Sequence, residues 1–393
     1  MKVVLGTGSL LSPLTGIGQY ALQLADGLCR TPAVEPWFFY GQQVSRENPA
    51  VSKPWLSGWG RTGKVRTFVR KYVPNAYGLD RQRKQLVLNR LVRRERFDVY
   101  HEPNYLALDF DGPTVITVHD LSWIRYPETH PIERVRAMNR YFEPALRKAS
   151  LLLTDSEFVG RELVEVFGID PAMIRPILLG LDPMFRPRTA TETAEVMHRL
   201  ELEHGGYFLS VGTLEPRKNM QATVSAYSRL PASVRRRHPL VIAGMRGWRT
   251  SKLESLLEPL VASGELRMLG YLSREDLAMV TAGALTMVYP SVYEGFGLPP
   301  LESMGCGVAP IASNRSSLPE VVGDAGLQVD PDDADQLVLA MTRLAEDAGL
   351  RQSLSNAALE RAQNFTWERC VSETVAAYGA ARTVADRAAT SRA

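Results

Sequence analysis

Short, almost continuously apolar runs alternate with longer stretches of helical period along nearly the whole chain. The first series is "KVVLG" (2–6), "PWFFYG" (36–41), "FDVYH" (97–101), "TVITVHD" (114–120), "ASLLLTDS" (149–156) and "RPILLG" (175–180). A second series follows: "YFLSVGT" (207–213), "PLVIAG" (239–244), "ELRMLG" (265–270), "LTMVYPS" (285–291), "GVAPIAS" (307–313) and "GLQVD" (326–330). Helical patterns fall between them, among them 18–30, 132–148, 218–230 and 251–263. Strands that are apolar on both faces and separated by helices predict parallel sheets covered on both sides. Two series predict two doubly wound α/β domains, each with about six strands.

The Pro-, Thr- and charge-rich stretch 181–206 separates the series, and a boundary is expected near 187, giving domains 1–186 and 187–366. The tail from 367 begins a helix after a Thr N-cap and reads as amphipathic. Two such domains facing each other would place their strand ends, and so their ligand crevices, at a shared cleft. The 393 residues, 45% of them hydrophobic, are ample for two cores. A net charge of +3 is too small to argue for nucleic acid by itself, and the distribution of charge matters more. Three cysteines without CxxC spacing argue against a disulfide framework or a zinc site and fit a reducing cytoplasm. No apolar window is long enough to span a bilayer, and "MKVVLGTG" reads as a strand entering a turn rather than a signal peptide.

The most informative stretch is "YPSVYEGFGLPPLESMGCG" (289–307), which follows a buried strand and opens a helix. Gly295 and Gly297 allow close backbone approach, and a helix N-terminus favours an anion. Glu294 and Glu302 flank this turn. A first-turn acid that merely complements the helix dipole would account for Glu302. It leaves Glu294, the glycines and the aromatics unexplained. Two acceptors around a phosphate-ready turn suit a nucleotide sugar. In "SVGTLEPRKN" (210–219), Arg217 and Lys218 follow a strand and can neutralise a diphosphate, one as a fork and the other as a point charge. Standing alone, that pair reads as a solvated basic turn.

"EGFGLPPLE" resembles the E-x7-E motif of retaining family 4 glycosyltransferases, and "EPRKN" and "ASNRSSLPEVVGDAGLQVDPDD" resemble that family too. The resemblance is strongest over 205–335, extends over 1–20, 114–180 and "FTWERC", and implies the GT-B architecture of two facing Rossmann-like domains. It implies that Glu294 contacts donor-sugar hydroxyls, that Glu302 binds the ribose, and that amides around Phe296, Gly297 and Leu298 receive the distal phosphate. It places the pyrophosphate on the segment after Gly212. Some relatives carry an Arg after that glycine; here Thr213 stands there, leaving Arg217 and Lys218 to carry the charge. In the first domain it puts Gly16 or Gly18 beside donor phosphates and Gln19 and Tyr20 near the acceptor. It makes His119 a neighbour of the transition state rather than a base, with Asp155 and Ser156 behind it. Base recognition would come from "AGMRGW" through Gly244, and from Tyr271 and Leu272. The last helix would cross back to the first domain.

No metal is expected. The D-x-D pattern at 109–111 lies in a Gly-Pro turn, and "DPDD" at 330–333 reads as a capping turn. Between 61 and 96 lie twelve Lys and Arg against Asp80 and Glu95, with aromatics interleaved upstream. A solvated helix face explains them; so does contact with anionic lipid, which would suit a polyprenyl-pyrophosphate-linked acceptor at the cytoplasmic face of the inner membrane. Nucleic acid is not expected, since no recognition module accompanies the charge. The expected activity is metal-independent transfer, with retention, of a hexose from a nucleoside-diphosphate sugar to a growing glycan. GDP-linked mannose or rhamnose leads over a UDP-sugar, by likeness to bacterial O-antigen enzymes. A GT-B sugar-nucleotide epimerase and a non-catalytic nucleotide-sugar-binding protein stay open; an NAD-dependent oxidoreductase lacks its glycine fingerprint.

Overall fold

The computed structural model describes residues 1–11, 14, 16–53, 76–245 and 251–390. The chain divides into two compact units, Met1–Gly180 with the chain from Trp367 onward, and Leu181–Thr366. The division falls six residues before the boundary expected from composition. Residues 181–186 belong with the second unit: the Leu181 N–H donates to the Phe365 carbonyl at 2.9 Å. A Cβ on Gly305 would meet Leu181 and the Phe185 carbonyl within 2.8 Å, so this stretch is packed against the second unit.

In the first unit the strands are β1 (Lys2–Gly6), β2 (Glu35–Phe39), β3 (Val44–Ser45), β4 (Val99–Glu102), β5 (Thr114–Val118), β6 (Leu151–Thr154) and β7 (Ile174–Pro176). They form one sheet in the order β3-β2-β1-β4-β5-β6-β7, parallel except for the β2–β3 pair. The two-residue β3 escaped the sequence pattern because it is too short to show alternation. β4 and β5 carry Val99, Tyr100, Val115, Ile116 and Val118 into the core, where Trp123, Phe142 and Leu163 pack from the helices. The helix Trp367–Thr390 completes this unit. It lies so close to the helix Gly16–Cys29 that a Cβ on Gly27 would sit 2.4 Å from the Val371 side chain.

In the second unit the strands are β8 (Phe208–Val211), β9 (Leu240–Ala243), β10 (Leu266–Gly270), β11 (Thr286–Tyr289), β12 (Pro310–Ser313) and β13 (Leu327–Val329). The order is β10-β9-β8-β11-β12-β13, with every recorded pairing parallel. Strand alternation sends Leu240 and Ile242 to one core cluster and Val241 and Ala243 to the other. In both sheets the chain runs outward over three strands and then returns to the far side of the first. The topological switch points are therefore β1/β4 and β8/β11, and open α/β sheets bind ligands at the carboxyl ends of such strands.

Candidate active site

At the β8/β11 switch point the loop after β8 runs through Gly212 into a 3-10 turn, Pro216–Lys218. Asn219, in the left-handed region at φ 52°, turns the chain into the helix Met220–Ser228. β9 ends against the same loop. A Cβ on Gly244 would lie 1.9 Å from the Gly212 carbonyl oxygen, so only glycine fits. On the other side the loop after β11 carries Glu294 and ends at Gly297, whose φ of 116° begins the helix Leu298–Gly305. Of the first three residues of that helix only Leu298 has an N–H, because Pro299 and Pro300 follow it, and that N–H has no acceptor within the helix. The Ser317 hydroxyl pins the loop from behind, at 2.9 Å from the Glu294 carbonyl and 2.8 Å from that of Phe296.

These loops bring Arg217, Lys218 and Glu294 together. One Glu294 carboxylate oxygen accepts from Lys218 Nζ at 2.6 Å, Ser291 Oγ at 2.6 Å and Tyr289 OH at 2.9 Å. The other accepts from Arg217 at 3.0 Å. Arg217 also donates to Glu215 at 2.8 Å and to the Tyr293 carbonyl at 2.6 Å. Burial by itself would push the Glu294 carboxyl up; the Lys218 and Arg217 cations outweigh it and hold it at about 2. Burial and the neighbouring Arg217 lower Lys218 against the pull of Glu294. Two cations and two carboxylates make this cluster formally neutral. Sequence reading missed Glu215, Tyr289 and Ser291. "YPSVYE" contains two of them, but only the fold shows that they meet the carboxylate.

Glu302 lies in a second cluster. It is 5% exposed and accepts from Arg274 at 2.6 Å. Arg274 also reaches Asp182 at 3.3 Å and stacks 4.6 Å from the centre of the Phe185 ring. Burial raises the Glu302 carboxyl, and Arg274 opposes it. Neither Arg274 nor Asp182 stood out in the sequence; both look like ordinary polar residues at a helix start and in a linker. Of the residues expected at the base, Leu272 packs on the core and Tyr271 is 59% exposed. Arg246, Gly247 and Trp248 lie outside the described residues.

In the first unit, His119 follows β5 and is buried with both ring nitrogens engaged, Nδ1 with Asp155 at 2.7 Å and Nε2 with the Pro103 carbonyl at 2.8 Å. A carbonyl only accepts, so Nε2 carries a hydrogen. Burial lowers His119, but Asp155 more than offsets it and raises the ring, while burial raises the Asp155 carboxyl. Whichever partner holds it, one proton occupies the Nδ1–Asp155 contact. The ring therefore presents no lone pair to an incoming hydroxyl. Ser156 caps the helix Glu157–Phe167. Gly16 and Gly18 open the helix Gly16–Cys29, where Gly18 abuts Leu14. Gln19 is buried with its Nε2 unbonded among the described residues. Tyr20 bonds Thr117 at 3.0 Å. Asp109 pairs with Lys148 on the surface, and Asp333 caps the helix Ala334–Glu346. Among the described residues no three His, Cys, Asp or Glu are grouped to hold a metal ion, and no helix is long and apolar enough to cross a membrane.

Residues 14–185 match the family described as Glycosyltransferase Family 4, and residues 196–361 match Glycosyl transferases group 1. The O-antigen chain mannosyltransferase B of Escherichia coli is 37% identical over 96% of this chain and 99% of its own. The chain belongs to the family 4 glycosyltransferases. The serotype-specific mannosyltransferase WbdA of Escherichia coli is 31% identical over 65% of this chain and 32% of its own length. Among solved structures, sucrose-phosphate synthase from Thermosynechococcus elongatus superposes with a TM-score of 0.74 over 96% of this chain and 98% of its own, at 20% identity. That likeness establishes the GT-B fold. The glycosyltransferase thus uses a nucleotide-sugar donor, and its two sheets are the two α/β domains the hydrophobic pattern predicts.

Proposed function

We propose that this glycosyltransferase moves mannose, with retention, from GDP-mannose to the end of a growing O-antigen-type glycan, with GDP-rhamnose as the next donor. The observation that carries the reading is the convergence of Arg217, Lys218 and Glu294 at the β8/β11 switch point. As the bond from sugar to phosphate breaks, negative charge collects on the departing diphosphate, and preorganised cations in a buried site stabilise it. Arg217 and Lys218 are placed for that work. Glu294, ionised and bonded by four donors, suits gripping donor-sugar hydroxyls rather than forming a covalent intermediate. Same-face attack assisted by the leaving phosphate, through an oxocarbenium-like transition state, then gives retention.

Support for mannose comes from the two Escherichia coli relatives, both named as mannosyltransferases. The resemblance supports Glu302 as the ribose ligand, with the Phe296, Gly297 and Leu298 amides on the distal phosphate. Tyr271, Leu272 and Gly244 would then flank the base, with Gly212, Gly16 and Gly18 near the phosphates. A polyprenyl-pyrophosphate-linked acceptor at the cytoplasmic membrane face fits the exposed basic helix Ala76–Arg94; residues 61–75 of the basic stretch lie outside the described residues. Thermal-shift titration with GDP, UDP, ADP and their sugars tests the donor, because a ligand stabilises what it binds. GDP compounds are expected to give the largest shift, unchanged by chelator. A response to UDP compounds alone would refute the GDP assignment.

A further inference from the structure

The β1/β4 switch point of the first unit holds a carboxyl group with no role in the reading above. Glu102 ends β4, beside Gly6 at the end of β1. A Cβ on Gly6 would come within 2.6 Å of the Glu102 carboxylate, so the group lies across the strand ends where this fold class binds ligands. It is part-buried and accepts from Tyr100 OH at 2.9 Å. Cations stand near it on the helix Ala76–Arg94, but their hydrogen bonds run elsewhere. Lys84 pairs with Asp80 at 2.9 Å, and Arg81 donates to the carbonyls of Leu106 and Ala107.

We infer that Glu102 grips a hydroxyl of the sugar acceptor at this switch point. The inference rests on the glycosyltransferase reading for the existence of an acceptor. The ligand class follows from charge. A carboxyl without a salt-bridging cation repels phosphate, whereas sugar hydroxyls both donate and accept. Burial, opposed by Tyr100, Lys84, the Asn104 N–H and Arg81, pushes the Glu102 carboxyl up to about 7. Near neutrality it therefore serves a hydroxyl in either hydrogen-bonding sense. Gly6 is part of the device, because any side chain there would displace the carboxylate.

Calorimetric titration of the full chain, with GDP present, tests this using octyl α-mannoside, an α-mannobioside and an octyl β-galactoside as probes. GDP-mannose is titrated separately on the same samples. At least one glycoside is expected to bind, with affinity falling tenfold or more in Glu102→Gln and in Gly6→Ala. Binding of GDP-mannose should stay within twofold in both, which also reports that they fold. Glu102→Asp should recover part of the loss. Unchanged glycoside affinity in Glu102→Gln overturns the inference, as does a wild type that binds none of the three. If GDP-mannose binds in that last case, the donor reading stands while the role of Glu102 falls. If GDP-mannose fails to bind while Glu102-dependent glycoside binding persists, the reverse holds.

Discussion

The two switch points are built alike and charged differently. In each, a glutamate follows or ends the strand that begins the return leg of the sheet; Glu102 lies against Gly6 at the end of β1, and Glu294 meets Lys218 from the loop after β8. At β8/β11 Glu294 meets two cations and is held at about 2. At β1/β4 Glu102 meets a phenol, its neighbouring cations are bonded elsewhere, and its carboxyl rises to about 7. Topology chooses where a ligand goes, and the residues just past the strand ends choose its charge. One crevice suits a diphosphate that arrives anionic and leaves more so; the other suits an uncharged sugar.

Removing a cation tests this division most severely. Lys218→Ala should lower transfer from GDP-mannose by roughly 10²- to 10³-fold, the scale of losing one preorganised donor to developing charge. Kinetics with donor and acceptor varied separately would show it. Glu102→Gln should instead act through the acceptor. Equal losses on the donor side in both variants would break the contrast.

Next in size is a backbone effect. Gly244→Ala drives a methyl into the Gly212 carbonyl, with 1.9 Å between them. Neither atom is the end of a flexible side chain, so the loop after β8 must move. A cost of about 3 kcal/mol is expected by denaturant unfolding, in the upper range for overpacking. Arg217 and Lys218 ride on that loop, so weaker GDP binding should accompany the loss. The corresponding Gly6→Ala meets a side chain that can swing away, and should cost less stability.

The pH dependence of stability should have opposite signs at the two glutamates. Glu294 has a folded value near 2, below its ordinary 4.5. Its contribution is present above about 4.5 and is lost as pH falls toward 2. Glu102 has a folded value near 7, above its ordinary 4.5. The folded state holds its proton more tightly, so that contribution is present below 4.5 and is lost as pH climbs through 7. Discounted for partial exposure, the change is about 2 kcal/mol. Glu102→Gln should therefore gain on wild type between pH 4.5 and 8, and Glu294→Gln should gain on wild type as pH drops from 4.5 to 2. Parallel slopes in chemical unfolding at several pH values would contradict the assignment.

Much of this was legible in the chain, for definable reasons. Buried parallel strands announce themselves because both faces are apolar, and among the described residues twelve of the thirteen strands fall within or across the apolar runs. The Glu294 motif was visible because glycines, prolines and acids crowd one short loop. Arg217 and Lys218 became convincing only beside it. What stayed hidden depends on three-dimensional meeting. Arg274 reaches Glu302 from 28 residues away, and Glu102 sits over Gly6 from the neighbouring strand, far along the chain. Each is one polar residue among several in "LSREDL" and "VYHEPN", and neither string shows what the side chain will touch.

A neutral hydrogen-bonded chain behind the first unit's switch point gives the smallest expected effect. Tyr20 bonds Thr117 at 3.0 Å, Thr117 bonds His101 at 2.8 Å, and His101 bonds Tyr378 of the last helix at 2.8 Å. Burial lowers His101 to about 3, so this chain carries no charge in the working range. Tyr378→Phe deletes one hydroxyl and keeps the ring packing, so the cost should be about 1 kcal/mol, as for a typical hydrogen bond. Because no ion is involved, that cost should not change between pH 5 and 8 or with added salt. The deficit of Lys218→Ala in GDP binding should shrink as salt screens the attraction between Lys218 and the diphosphate in the wild type. A Tyr378→Phe penalty that varied with salt would mean that charge reaches the first unit's interior, and the division of labour between the two crevices would have to be redrawn.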